Sequence, residues 1–93
     1  DYLWLAPLAE AMEKNGRYPG ASLLYRALLD SILMRAQTKT YEHGARYLRK
    51  VDRLAMQVTD WRTLEPHSVY REKLFQDHRR KSSFWARFGE QPI

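Results

Sequence analysis

The apolar residues recur at helical spacing from the start of the chain. The first run of them is Leu5, Leu8, Ala9 and Met12. Spacings of three, one and three place these residues on one face of an α-helix, which we expect from about Tyr2 to Lys14. Pro7 is tolerated in a first turn, so the regular part of this helix can begin there. Gly16 suits the left-handed position that ends a helix.

A second helix is predicted from Pro19 to about Ala36. Nearly every residue from Ala21 to Met34 is apolar, and the polar residues Ser22, Arg26 and Asp30 lie four apart. A helix with one thin polar stripe is buried on most sides, so this one is expected to be central. The spacing of Arg26 and Asp30 predicts an ion pair along the helix. The expected core residues are Leu23, Leu24, Leu28, Leu29, Ile32 and Leu33.

A third helix follows the break at Gln37-Thr38, with Thr38 or Thr40 as its expected cap. Its apolar seam is Tyr41, Gly44, Leu48, Val51, Ala55 and Val58. The spacing alternates between three and four, which is typical of one buried helical face.

Two more helices are predicted after a loop over Thr59–Glu65, which carries Trp61 and Leu64. Pro66 offers a helix start, and that helix is expected to end near residues 79–81. Its apolar face is Val69, Tyr70, Leu74 and His78. Ser82 or Ser83 is the expected cap of a last short helix. The aromatic residues Phe84, Trp85 and Phe88 are expected to fold back as a lid on the core.

No segment alternates between apolar and polar residues with period two, so no strand is predicted. The expected fold is all-α, with four main helices and a short fifth packed as antiparallel hairpins. Residues 1–93 would form a single helical domain. The apolar start at Tyr2–Leu5 would pack against a preceding element, and a loose end is expected from Gly89 onward. We therefore expect the C-terminal domain of a larger cytoplasmic protein.

Composition excludes several classes of protein. Hydrophobic residues make up 44% of the chain and aromatic residues 13%, too many for a disordered segment. No apolar window reaches the roughly 18 residues of a membrane span, so no membrane is expected. The sequence contains no cysteine, which removes disulfides and thiolate chemistry.

Positive charge is concentrated in the later part of the chain. The net charge is +5, and residues 34–93 carry the whole excess. Two clusters stand out: Arg46, Arg49, Lys50 and Arg53 on the polar side of the third helix, and the run Arg79, Arg80 and Lys81. Such clusters serve as solvated faces or meet an acidic protein partner. Alternatively, they contact the phosphate backbone of a nucleic acid.

No constellation for catalysis or for metal binding appears. The histidines His43, His67 and His78 lack the spacing of a helical metal site. Glu10 and Glu13 share a helix surface, but they follow its predicted solvent side. We expect no metal, no cofactor and no enzymatic activity.

One spacing in the first two helices resembles the tetratricopeptide repeat. It consists of Gly16, Tyr18, Ala21 and Tyr25, preceded by Ala9. In that repeat a glycine ends helix A, and small residues let helices A and B approach closely. Leu5 stands where the repeat usually has tryptophan, and the closing proline is absent. The resemblance implies one degenerate repeat followed by further helices packed in the same manner.

A longer resemblance covers about residues 15–88. GRYPGASLLYRALLDSIL at 16–33, YEHGARYLRKVDRLA at 41–55 and HRRKSSFWARF at 78–88 resemble the C-terminal helical part of an uncharacterised bacterial family, a domain of unknown function. Similar tails occur in some bacterial proteins with a SWIM-type zinc finger, whose zinc-binding part needs cysteines. The resemblance carries no assigned catalytic or binding residues.

These observations favour a noncatalytic interaction or capping module. It would bind another protein or a preceding domain of its own chain. The alternative is a nucleic-acid-binding accessory module that uses the third helix and the run at residues 79–81.

Overall fold

Residues 4–89, the part of the chain that the computed structural model describes, fold into five α-helices. They are α1 (Leu5–Lys14), α2 (Tyr18–Arg35), α3 (Tyr41–Ala55), α4 (His67–His78) and α5 (Ser82–Phe88), with a 3-10 turn at Thr38–Thr40. No strand occurs within this range, so the predicted all-α fold with four main helices and a short fifth is confirmed. The expectations for Tyr2, Leu3 and residues 90–93 lie outside the described residues.

Helix ends follow the glycine and proline signals more closely than the capping signals. Gly16 has φ +73° just after α1, as predicted for the residue that ends this helix. Thr40 precedes α3, but its hydroxyl donates to the carbonyl oxygen of Gln37 at 2.7 Å instead of capping the helix. Ser82 is the first residue of α5 and not its cap. The predicted side-chain caps at Thr38 or Thr40 and at Ser82 or Ser83 were therefore wrong.

The second helix is the centre of the fold, with α1 and α3 packed against it and α5 packed against α3. Gly44 permits a close approach of α3 to α2 and α5, because a Cβ there would lie 3.1 Å from Cε1 of Phe84 and 3.2 Å from Cγ2 of Ile32. Phe84 and Trp85 are fully buried, so α5 covers the core as the sequence predicted. The apolar seam of α3 is buried from Tyr41 to Val51, while Val58 lies beyond the end of the helix.

Three residues predicted for apolar core faces lie at the surface instead. Leu8 of α1 is 49% exposed, Leu23 of α2 is 48% exposed, and Val69 of α4 is 40% exposed. Each lies to one side of the buried stripe of its helix, where no described residue covers it. The spacing placed them near a buried face, but the width of that face depends on the neighbouring helices.

Candidate functional site

Glu13 connects the first three helices. Its carboxylate accepts a hydrogen bond from the Tyr25 hydroxyl at 3.0 Å, and it lies 3.1 Å from Nζ of Lys50 and 3.5 Å from Nη2 of Arg53. Burial raises the pKa of Glu13, but the hydrogen bonds from Lys50 and Tyr25 and the positive charges bring it below its usual value. The prediction that Glu13 follows the solvent side was wrong, because the side chains of Lys50 and Arg53 extend from α3 to its carboxylate.

The other two cations of the α3 cluster also contact groups of this chain. Arg49 donates to the carbonyl oxygens of Arg87 at 2.9 Å and of Phe88 at 3.3 Å, at the C-terminal end of α5. That end of a helix carries partial negative charge, so the contact is favourable. Nη2 of Arg46 lies 3.2 Å from Nδ1 of His43. The four predicted contact residues on α3 therefore share a helix, but Arg49, Lys50 and Arg53 join it to α5 and α1.

The second predicted cluster lies in the turn between α4 and α5. Arg79 and Arg80 are exposed, and Lys81 occupies the position just before α5. None of the three forms an ion pair with any residue in the range 4–89. The two clusters differ in their contacts: three of the four cations of the first contact acceptors on α1 or α5, whereas Arg79 and Arg80 of the second face solvent.

The polar stripe of α2 faces inward. Ser22 is fully buried and Arg26 is only 5% exposed. The guanidinium carbon of Arg26 lies 4.8 Å from the ring centroid of Trp61 and 4.7 Å from that of Tyr70, between the two rings. Its Nη1 donates to the carbonyl oxygen of Glu65 at 2.8 Å. Burial lowers the pKa of Arg26.

Asp30 completes this stripe without forming the predicted ion pair with Arg26. The hydroxyl of Tyr70 donates to Asp30 at 2.8 Å, while Arg26 points at the 56–66 connection. Burial raises the pKa of Asp30, and the hydrogen bond from Tyr70 opposes that effect. The predicted surface pair was wrong because both residues face α4 and the segment before it.

Asp52 joins α3 to α4. It lies 2.9 Å from Nε2 of His67 and 3.1 Å from Nε of Arg71. Its partners therefore lie on α4, although Asp52 is next in sequence to Arg53 of the basic cluster on α3. Within residues 4–89, no three histidine, aspartate or glutamate side chains form a group that could hold a metal ion.

His67 and His78 make stability depend on pH. Burial lowers the pKa of each below 6.5, and the charge of Asp52 opposes this effect at His67. As the pH falls through 6.5, these two histidines therefore bind protons in the unfolded chain before they do so in the folded chain. We expect the unfolding free energy to be highest above pH 6.5 and to decline as the pH falls below it. Urea unfolding at pH 7.5, 6.5 and 5.5 measures this.

The matched test replaces both histidines. A His67→Gln, His78→Gln double variant should lose most of the decline between pH 7.5 and 5.5, while His43→Gln at an exposed position should keep it. Asp30 acts in the opposite direction, because its raised pKa favours the folded state when it gains a proton. A parent chain that is equally stable or more stable at pH 5.5 contradicts the prediction.

Exposed apolar side chains concentrate on the α1–α2 hairpin. Of the six large ones in the described residues, four lie here: Trp4, Leu8, Leu23 and Met34. Tyr25 contacts the ring of Tyr47 on α3, whereas Leu23 and Met34 lie on the opposite side of α2 at 100° per residue. We call the surface formed by Trp4, Leu8, Leu23, Ala27 and Met34 the outer face.

The outer face contains a shallow groove of about 440 Å³. Ala27, Ser31 and Met34 line it, with Asp30 on one edge and Arg35 on the other. Met12 of α1 packs over Gly20 at the far end of α2, and a side chain at Gly20 would collide with it. The surface is therefore continuous across both helices.

Sequence reasoning missed two features, and a signal was present in the sequence for only the first of them. The first is the exposed apolar side of α2. This helix is apolar on nearly every side, so it has more apolar surface than α1 and α3 can cover, and the excess indicates a further contact. Trp61 stands in a segment without periodicity, so its packing on Arg26 had no such signal. Separately, none of the helices in residues 4–89 combines the length and the apolar character needed to cross a membrane.

Comparison with known proteins assigns the chain to a family. A model described as "Family of unknown function (DUF6880)" matches residues 1–87. No curated protein and no solved structure matches the chain. The tetratricopeptide-like packing and the likeness to SWIM-associated tails stay predictions. Because the match covers nearly the whole sequence, this chain belongs to the DUF6880 family of unknown function.

Proposed function

We propose that this chain is a noncatalytic helical interaction module whose outer face binds another helical element. That element belongs to another protein or to another domain of the same chain, and we place the module in the cytoplasm. The observation that carries the proposal is the clustering of exposed apolar residues on one side of α1 and α2. Trp4 is 69% exposed and Met34 is 76% exposed. Apolar surface of this kind on one face is typical of a docking site.

The position of the outer face supports docking of a helix. The outer face lies on the side of α2 away from α3. A helix bound there would leave α2 packed between that helix and α3. Full burial of an exposed leucine or methionine contributes about 1.5–3 kcal/mol, and Leu23 and Met34 would each contribute the fraction of this that corresponds to their present exposure of 48% and 76%. The backbone of both residues is already ordered, because both belong to a regular helix, so binding has to order only their side chains.

Geometry lends less support to the nucleic-acid alternative. Lys50 and Arg53 lie on Glu13, and Arg49 lies on the end of α5. A phosphate backbone would have to compete with these contacts. Among the predicted clusters, Arg46, Arg79 and Arg80 are exposed, and within the described residues their side chains form no hydrogen bond with Glu13 or α5. So few cations give weak, salt-sensitive binding.

Site-specific photo-crosslinking in cells that make the protein tests this function. A photoreactive residue at Met34, on the outer face, should give a discrete protein adduct, either to a second protein or to another domain of the same chain, as peptide mass spectrometry of the product locates it. The same residue at Met56, which is exposed at the end of α3, should give none. Equal labelling at both positions, absence of any adduct at Met34, or adducts with nucleic acid in its place would overturn the proposal.

A further inference from the structure

We propose that the outer face binds an amphipathic helix with acidic residues towards both ends. The apolar stripe of that helix would lie on Leu23, Ala27 and Met34, and its carboxylates would pair with Arg17 and Arg35. This inference rests on the proposed function, and it adds the chemistry of the partner.

The shape of the outer face fits a helix. α2 contains 18 residues, which at 1.5 Å per residue makes a platform about 27 Å long. The small side chain of Ala27 leaves the middle of this platform low, while Leu23 and Met34 project beside it. Side chains spaced three or four apart on a second helix fill such a surface as ridges fill grooves.

Two cations stand at opposite ends of this platform. Arg17 immediately precedes α2 and Arg35 is its last residue. They are 18 residues apart, which is five full turns, so they lie on the same side of the helix axis. Both are exposed, and neither guanidinium has an ion-pair or hydrogen-bond partner within the described range. Arg35 also lines the groove beside Met34.

These two cations differ from Lys50 and Arg53 of α3, which share the carboxylate of Glu13 within the fold. An acidic residue near each end of a bound helix would supply the missing partner, and the net charge of +5 would attract an acidic segment from a distance. A basic helix would instead place like charges at Arg17 and Arg35, where repulsion opposes docking.

Charge also disfavours a second copy of this chain as the occupant. Two copies of α2 packed antiparallel through the outer face are related by a two-fold axis near residue 26. That axis brings Arg17 of one copy beside Arg35 of the other, at both ends of the contact. Since neither has a carboxylate to neutralise it in this arrangement, self-association is repulsive at low salt.

Two synthetic peptides of about 20 residues provide the test. Both carry the same leucine stripe at helical spacing, but one has glutamate and the other lysine at its flanking positions. Fluorescence anisotropy measures their binding to the intact chain at low salt and at 150 mM salt. We expect the glutamate peptide to bind at least about tenfold more tightly, with the difference reduced by salt.

Matched variants separate charge from apolar contact. Arg17→Glu with Arg35→Glu should remove or reverse the preference for glutamate. Arg79→Glu with Arg80→Glu makes the same change in net charge away from the outer face and should leave the preference in place. Leu23→Glu should weaken both peptides by about tenfold or more. Circular dichroism confirms that each variant is folded.

Three results would overturn the inference: equal or absent binding of the two peptides, a preference that survives Arg17→Glu with Arg35→Glu, or a stable dimer of the chain in sedimentation equilibrium. The proposed function has a separate readout. Crosslinking at Met34 can still yield a protein adduct while the peptides show no preference. That result would support the proposed interaction module and contradict the proposal that its partner is acidic.

Discussion

Replacement of Trp85 by alanine is expected to lower the free energy of unfolding by about 3–5 kcal/mol. The indole is fully buried, and its Nε1 donates to the carbonyl oxygen of His78 at 2.9 Å. Its ring meets Phe84 and Phe75 edge-on, with centroids 5.1 Å and 5.4 Å apart. Alanine would leave a cavity among these rings and would also remove the indole donor from the carbonyl of His78, which would keep only its hydrogen bond from the backbone N–H of Lys81 at 2.9 Å.

Urea unfolding followed by circular dichroism measures this loss without relying on tryptophan fluorescence. Trp4→Ala is the matched control, because Trp4 is largely exposed and the same atoms are removed. We expect the control to change stability by less than about 1 kcal/mol. A loss below about 1 kcal/mol for Trp85→Ala, or equal losses for both variants, contradicts the assignment of α5 as a cover for the core.

The role of α5 could be predicted from the sequence because its signal is local. Phe84, Trp85 and Phe88 lie within five residues, at spacings that share one helical face. The same holds for the seam of α3 from Tyr41 to Val51. In each case, neighbours in the sequence determine which residues face the core, and distant contacts only complete the burial.

The polar stripe of α2 shows what periodicity leaves open. Spacing placed Ser22, Arg26 and Asp30 on one face correctly, but it does not say whether water or protein covers that face. The covering groups, Trp61 and Tyr70, come 35 and 44 residues after Arg26. A charged residue is almost never buried without compensation, so the simplest expectation placed the stripe in solvent.

The candidate site has the same limit. Sequence could group the cations of α3 by helical face, but not foresee that Glu13 would neutralise Lys50 and Arg53 from 37 and 40 residues away. The unpaired state of Arg17 and Arg35 likewise emerges only from the fold. The local sequence therefore determines which cations share a helical face. Tertiary contacts determine which of those cations are free to bind a partner.

Arg26→Ala is expected to destabilise the fold by about 2–4 kcal/mol. Alanine would empty the space between the rings of Trp61 and Tyr70 and leave the carbonyl oxygen of Glu65 without its donor. Because that carbonyl precedes α4, the 56–66 connection and the start of α4 should loosen first. Urea unfolding gives the size of the loss, and hydrogen exchange of the amides around residue 67 shows where it begins.

Arg26→Met separates the volume of this side chain from its charge. Methionine fills much of the same space but carries no charge. The substitution therefore removes the free-energy cost of burying the guanidinium, which is the effect that lowers the pKa of Arg26. The arginine also leaves Nε and Nη2 without hydrogen-bond partners among the described residues, so the charge is costly where it lies. We expect Arg26→Met to remain within about 1 kcal/mol of the parent chain. If Arg26→Met lowers the free energy of unfolding as much as Arg26→Ala does, the cation–π contacts and the hydrogen bond to Glu65 hold α4 in place. In that case the volume of the side chain is not what stabilises this region.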